Sequence, residues 1–279
     1  MLPQGQLLSD QDWVRRHRAT QLILLLHACA YLLFAVAKAR ALFDVFLIVG
    51  FLGVPLGLAS ITGFGPRVRA GCVAIAAFAS SALLVHFSGG YIEMHFHFFV
   101  MVAIISLYYD WLPFLVNVTL VVLHHGLTGS LYPHSVYNHP AAWDNPWLWA
   151  NIHGAFLLAE CAAILMYWRF NEVAYTGLRE SEQRFRLLST MSPVGIFQTD
   201  SRGRYLYTND QWRSITGQQS PEQYLEDQWH QAVHPDDRAM VFENWSQACR
   251  QGRHFEAEFR IQIENGDVRW VYASARPIL

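Results

Sequence analysis

The chain has 279 residues, 53% of them hydrophobic and 15% charged, with a formal net charge of −2. That balance speaks against an electrostatic nucleic-acid binder. The four cysteines, Cys29, Cys72, Cys161 and Cys249, have no CxxC spacing and leave no readable zinc ribbon or disulfide framework.

The charge is unevenly spread. Residues 1–170 hold eight Lys/Arg and seven Asp/Glu among long apolar runs, whereas 171–279 is charge-rich. The asymmetry predicts a six-helix transmembrane domain over 1–170, a signalling helix over 171–190 and a soluble domain over 191–279. A span needs about 20 largely apolar residues. Six runs qualify, near 19–37, 44–62, 70–88, 92–109, 112–131 and 148–168. Gly63–Pro66, Gly89, Gly90, Pro113, Pro133 and Pro146 punctuate the junctions, and Trp111, Trp147, Trp149 and Trp168 sit at span ends. The first run follows Arg15, Arg16 and Arg18 and lacks a small-residue cleavage site, which predicts a retained span. Arg15, Arg16, Arg18, Arg67, Arg69 and Arg169 fall on one side of six spans, and only Lys38 and Arg40 on the other. This predicts a multi-pass protein of a bacterial inner membrane, with a cytoplasmic N-terminus and soluble domain.

Nine of the 13 histidines lie between His27 and His153. Eight of them (His86, His95, His97, His124, His125, His134, His139 and His153) fall in the outer, periplasmic half of the membrane or the adjoining loop. Imidazole in lipid needs a partner, and many imidazoles at one depth suggest a shared one. The expected metal ligands are His86, His95, His97, His124, His125 and His153, on or near spans; His134 and His139, in a loop, rank lower because ordering a loop costs entropy. Glu93, His97 and Met101 form one helical stripe, whereas His95 lies about 200° around from His97, so one shared site or two stays open. His124 and His125 are about 100° apart and can share a site. Met94 and Met101 beside imidazoles favour copper; zinc, iron or haem b are the alternatives, His97 and His124 being candidate haem axial ligands. A separate pair is expected from depth alone: Glu160 and His27 lie about 12–13 Å from the same membrane face and would meet if the first and last spans pack together.

From Ser181-Glu182-Gln183-Arg184-Phe185 onward, motifs follow in series. They are Ser192-Pro193-Val194-Gly195-Ile196-Phe197, Thr199-Asp200-Ser201-Arg202-Gly203, Tyr207-Thr208-Asn209, Ile215-Thr216-Gly217, Trp229 and Val233-His234-Pro235-Asp236-Asp237-Arg238. Phe255-Glu256-Ala257-Glu258-Phe259-Arg260 and Val268-Arg269-Trp270-Val271 complete the series. Read as residues, Ile196–Gln198 and Tyr205–Tyr207 flank one hairpin turn, and Glu256–Ile263 and Val268–Ala275 flank another. Asp236 and Asp237 after Pro235 suit a helix N-terminus. The run over 181–279 closely resembles a PAS domain. The resemblance implies an α+β fold with a five-stranded antiparallel sheet, and the last central strand of that fold has no counterpart before Leu279. His234 belongs to a common PAS helix-start motif, so His230, His234 and His254 do not suggest haem; a cofactor-free relay within a homodimer is expected.

In the membrane half, Glu93-Met94-His95-Phe96-His97-Phe98-Phe99, Tyr109-Asp110-Trp111 and His124-His125-Gly126 resemble histidine-rich multispan regions ahead of PAS, diguanylate cyclase, histidine kinase or chemotaxis modules. The MHYT sensor domain, proposed to bind copper and sense a diatomic gas, is an analogue, although its repeated motif is absent. The resemblance implies a sensor that takes metal or a small ligand from the periplasmic side and drives an output module, such as a diguanylate cyclase or histidine kinase, beyond Leu279. A membrane oxidoreductase with a regulatory PAS domain is the alternative. A transporter is disfavoured because no internal repeat or broken-helix pair is evident.

Overall fold

The computed structural model describes residues 2–5, 8–37, 42–200, 204–217, 232–263 and 266–277. Of the residues that carry sequence expectations, Lys38, Arg40, Ser201, Arg202, Gly203, Trp229, His230, Glu264 and Asn265 lie outside this set. The chain divides into two compact units, Met1–Tyr175 and Thr176–Leu279.

Among its described residues the first unit has only helices: α1 (Asp10–Ala37), α2 (Leu42–Ala59), α3 (Pro66–Ser88), α4 (Ile92–Ser106), α5 (Trp111–Leu131), the short α6 (Pro133–Val136) and α7 (Pro140–Asp144), and α8 (Pro146–Met191). Five of these, α1, α2, α3, α5 and α8, are long and apolar enough to cross a membrane. At 15 residues α4 is shorter than such a span, against the sixth run expected over 92–109. The cause is local. Tyr109 takes a left-handed φ of 49°, and the Asp110 carboxylate accepts from the Leu112 N–H at 2.9 Å, so α5 is capped where α4 would have continued.

The hub is α3. Its buried face, Ala70, Val73, Ala74, Ala76, Ala77, Ser80 and Ser81, carries small residues, so neighbouring backbones approach closely. α1, α2, α4 and α5 all pack on it. Polar side chains pin the packing. Tyr31 Oη donates to the Ser80 carbonyl (2.8 Å), Asn117 Nδ2 to the Ala74 carbonyl (2.8 Å) and Trp168 Nε1 to the Ser106 carbonyl (3.0 Å). His17, fully buried, lies between Tyr108 Oη (2.8 Å) and the Ala59 carbonyl (3.1 Å). The outside of the bundle is apolar, with Leu25, Leu33, Val36, Phe46, Val100 and Leu158 all exposed, a surface suited to lipid.

The second unit begins within α8 and continues through β1 (Phe197–Thr199), β2 (Tyr205–Thr208), α9 (Asp210–Thr216), α10 (Pro235–Gln251), β3 (Phe255–Gln262) and β4 (Val268–Ala275). Both predicted hairpins are present: β1 pairs antiparallel with β2, and β3 with β4 in the register Phe255↔Ala275 to Gln262↔Val268. Alternation buries Phe255, Phe259 and Ile261 on one face of β3, against Val233 and Val241. Arg260 donates to both Asp237 oxygens (3.0 and 2.7 Å), tying β3 to the start of α10, and these bonds hold the Asp237 carboxyl down at about 2.

Asn209 is the joint of this unit. Its Oδ1 accepts from the Ile196 N–H (2.8 Å) and the Trp212 N–H (2.9 Å), and its Nδ2 donates to the Ser189 (2.9 Å) and Val194 (3.0 Å) carbonyls. One buried side chain thus caps α9 and fastens the end of α8 to β1. Each bond is worth about 1 kcal/mol net. Asn209→Ala is expected to cost roughly 2–4 kcal/mol and to strip the Ile196 and Trp212 amides of protection, as read by hydrogen–deuterium exchange; unchanged protection would refute the assignment.

Candidate functional site

Three imidazoles from three helices meet in the first unit. His95 stands one turn into α4, His125 in α5, and His153 about two turns into α8. Their ring centroids form a nearly equilateral triangle: 5.2 Å for His95–His125, 5.2 Å for His95–His153 and 5.1 Å for His125–His153. His95 and His125 are buried, and His153 is half-buried.

Each ring is tethered in the same way. Nδ1 faces the carbonyl one turn back in its own helix: Tyr91 for His95 (3.1 Å), Val121 for His125 (2.9 Å) and Trp149 for His153 (2.8 Å). A carbonyl only accepts, so each Nδ1 carries the proton and each neutral ring keeps its lone pair on Nε2. Nε2 of His95 and of His125 is buried and makes no hydrogen bond. The Val136 carbonyl also approaches the His95 ring. Backbone-oriented imidazoles with free Nε2 atoms are the arrangement metal-ligating histidines use. As the side chains stand, no group of three or more His, Cys, Asp or Glu residues among those described is already drawn up around one metal position.

Two backbone features place the triangle. His124–Thr128 is a π-helical turn inside α5, with its extra residue per turn changing the aim of the side chains. His125 joins the triangle, while His124, its ring 5.3 Å from that of His125, stands against Phe78 and Phe98, centroids 5.9 and 5.3 Å away. The second feature is the tight segment before α4. Gly90 has φ 81°, and a Cβ there would stand 2.9 Å from the Tyr137 backbone. That closeness lets Tyr137 stack on His95 with rings 4° from parallel. A mostly apolar cavity of about 430 Å³ borders all three histidines, walled by Phe99, Trp147 and Leu157 among others.

The other expected ligands lie elsewhere. His97 is on a different face of α4, with Nε2 3.1 Å from His27 Nε2 and Nδ1 2.8 Å from Ser81 Oγ. His86 is exposed, its Nε2 3.9 Å from the buried Asp44. His134 and His139 lie against Trp143 and Trp149, centroids 4.3 and 4.4 Å apart. Glu93 is exposed and Met101 is fully buried. The expected contact between His27 and Glu160 is not made: His27 bonds to Ile23 and His97, and Glu160 Oε2 is buried without a hydrogen bond. Asp44, Ser81 and Tyr137 were not anticipated. Asp44 could have been noticed as a lone carboxylate bordering an apolar run; Ser81 and Tyr137 carry no such signal.

Comparison with known proteins bears on both units. Residues 205–279 match the family described as PAS fold, so the chain carries a PAS domain there. Over 198 residues it is 38% identical to Transducer protein Htr8 of Halobacterium salinarum, covering 65% of this chain and 31% of that protein. Over 143 residues it is 32% identical to Uncharacterized protein y4lL of Sinorhizobium fredii, covering 49% of this chain and 17% of that one. The chain therefore spans a third or less of either relative. No solved structure matches it.

If Gly90 sets the Tyr137–His95 stack, Gly90→Ala should cost at least about 2 kcal/mol, from the positive φ and the backbone clash. Gly154→Ala, where nothing lies within 4 Å of an added Cβ, is the control. Thermal unfolding in detergent should show a clear drop for the first and little change for the second; equal melting temperatures would refute it.

Proposed function

We propose that this chain is the sensory portion of a membrane signal transducer, with His95, His125 and His153 forming a three-imidazole site for a transition metal ion. The spacing of the triangle carries the reading. A metal–nitrogen bond of about 2.0–2.1 Å plus about 1.1 Å from nitrogen to ring centre puts each centroid about 3.2 Å from the metal. Three such rings at near-tetrahedral angles have centroids about 5.2 Å apart, and the observed separations are 5.1–5.2 Å. Closing the site asks the rings to turn in place, with the backbone already at the right distance.

Copper is the preferred ion, because it binds nitrogen donors most tightly of the divalent series; zinc and iron have the same donors available. Haem b fits this triangle poorly, since two axial imidazoles on opposite sides of one iron would need centroids about 6.3 Å apart. The bordering cavity would admit a small ligand to the open coordination position. Occupancy, redox state or ligand at the metal would shift His153, and α8 carries that shift toward the PAS domain. The transducer relative supports signalling as the purpose. In this reading the N-terminus and PAS domain are cytoplasmic and the histidines face the periplasm, as in the analogous MHYT-type sensors. The protein works as a homodimer, its PAS domain without cofactor, and passes the signal to an output module or signalling partner.

The test is metal binding by the purified chain. His95→Ala, His125→Ala and His153→Ala should each weaken binding of Cu(II) or Zn(II) by about 100-fold or more, with His134→Ala and His139→Ala near the native value. Native affinity in all three triangle variants would overturn the proposal.

A further inference from the structure

The contact between His27 on α1 and His97 on α4 is a second place where imidazoles meet, independent of the triangle. His27 Nδ1 lies 2.7 Å from the Ile23 carbonyl, which fixes its proton on Nδ1 and its lone pair on Nε2. His97 has two neutral arrangements. In one, the Ser81 hydroxyl donates to His97 Nδ1 (2.8 Å) and His97 Nε2–H donates to His27 Nε2 (3.1 Å). In the other, Ser81 turns its proton to the Ala77 carbonyl, 3.3 Å away, and accepts from His97 Nδ1–H. Both Nε2 lone pairs then face each other across 3.1 Å with nothing between them. That second arrangement is a two-nitrogen claw open to a cation.

The claw has the dimensions of a metal site. Two nitrogens 3.1 Å apart, each at a bond length of about 2.0–2.1 Å, subtend an angle of about 100° at the ion. A third position is left open. Met101 stands one helical turn beyond His97 and is fully buried in the same core cluster as Leu24, Tyr31 and Ala77. A thioether is a soft donor that selects Cu(I), and a monovalent ion costs least to bring into an apolar bundle.

We propose that His27 and His97, with Met101 in reach and Ser81 holding Nδ1, form a second metal site, selective for a soft monovalent ion such as Cu(I). Binding releases no proton: the His97 proton moves from Nε2 to Nδ1 while the Ser81 hydroxyl proton turns to Ala77. The two sites use different faces of α4, so His95 and His97, two residues apart, serve different ions.

Anaerobic Cu(I) titration of the purified full chain against a chromogenic chelator tests this. His97→Gln and His27→Gln should each lower the Cu(I) count by one per chain, and Met101→Leu should weaken that site. Ser81→Ala, a smaller change in a helix interior, should weaken it about tenfold, as loss of an orienting partner does. In a chain lacking His95, His125 and His153 the same Cu(I) should still bind, which separates this proposal from the fate of the triangle. An unchanged Cu(I) count and affinity in both His97→Gln and Ser81→Ala would overturn it and leave the 3.1 Å contact an ordinary neutral hydrogen bond.

Discussion

An imidazole has two nitrogens, and in the bundle His95, His125 and His153 all commit the same one. Nδ1 bonds to the carbonyl one turn back in its own helix, so no other helix is needed to orient the ring. What remains is an Nε2 lone pair on each ring, and at His95 and His125 it lies where water cannot satisfy it. A buried acceptor without a donor costs about 1–3 kcal/mol. The bundle carries that cost at His95 and at His125. A bound ion would relieve it, which is why the orphaned atoms and the triangular spacing support the same reading.

The rest of the bundle holds these rings at fixed separations. The small residues of α3 let α1, α4 and α5 approach closely, and the carbonyl bonds from Tyr31, Asn117 and Trp168 resist sliding. The π-helical turn at His124–Thr128 aims His125 at the triangle, at the expense of regular pairing in α5. Gly90 lets Tyr137 cover His95. His153, by contrast, is only half-buried and stands on the longest helix, Pro146–Met191, whose last residues belong to the second compact unit. The least enclosed of the three rings therefore stands on the helix that runs on past the bundle.

Much of this was legible in the sequence. Hydropathy located the long helices, and alternation around turn residues located both hairpins: the strands expected at Glu256–Ile263 and Val268–Ala275 are Phe255–Gln262 and Val268–Ala275. These signals are local, and local chemistry decides them. Convergence of histidines is not local. Depth along a helix can be counted from sequence, but the direction in which a helix faces depends on its neighbours. His27 and Glu160 share a depth, yet α1 presents His27 to His97 on α4. The 200° between His95 and His97 was computable and separates two clusters; which histidines complete each was not. An ideal helix also gave no hint of the π turn that begins at His124, and no pattern around Tyr137 marks it as the cover of His95.

The most direct test of the central claim is X-ray absorption on the chain loaded with one equivalent of zinc, an ion that does not cycle redox and so reports coordination alone. Nitrogen neighbours at about 2.0–2.1 Å, with outer-ring scattering from three imidazoles that falls when His125 is replaced by alanine, are the predicted result. Coordination by oxygen alone without imidazole scattering, or a spectrum indifferent to that replacement, would contradict it.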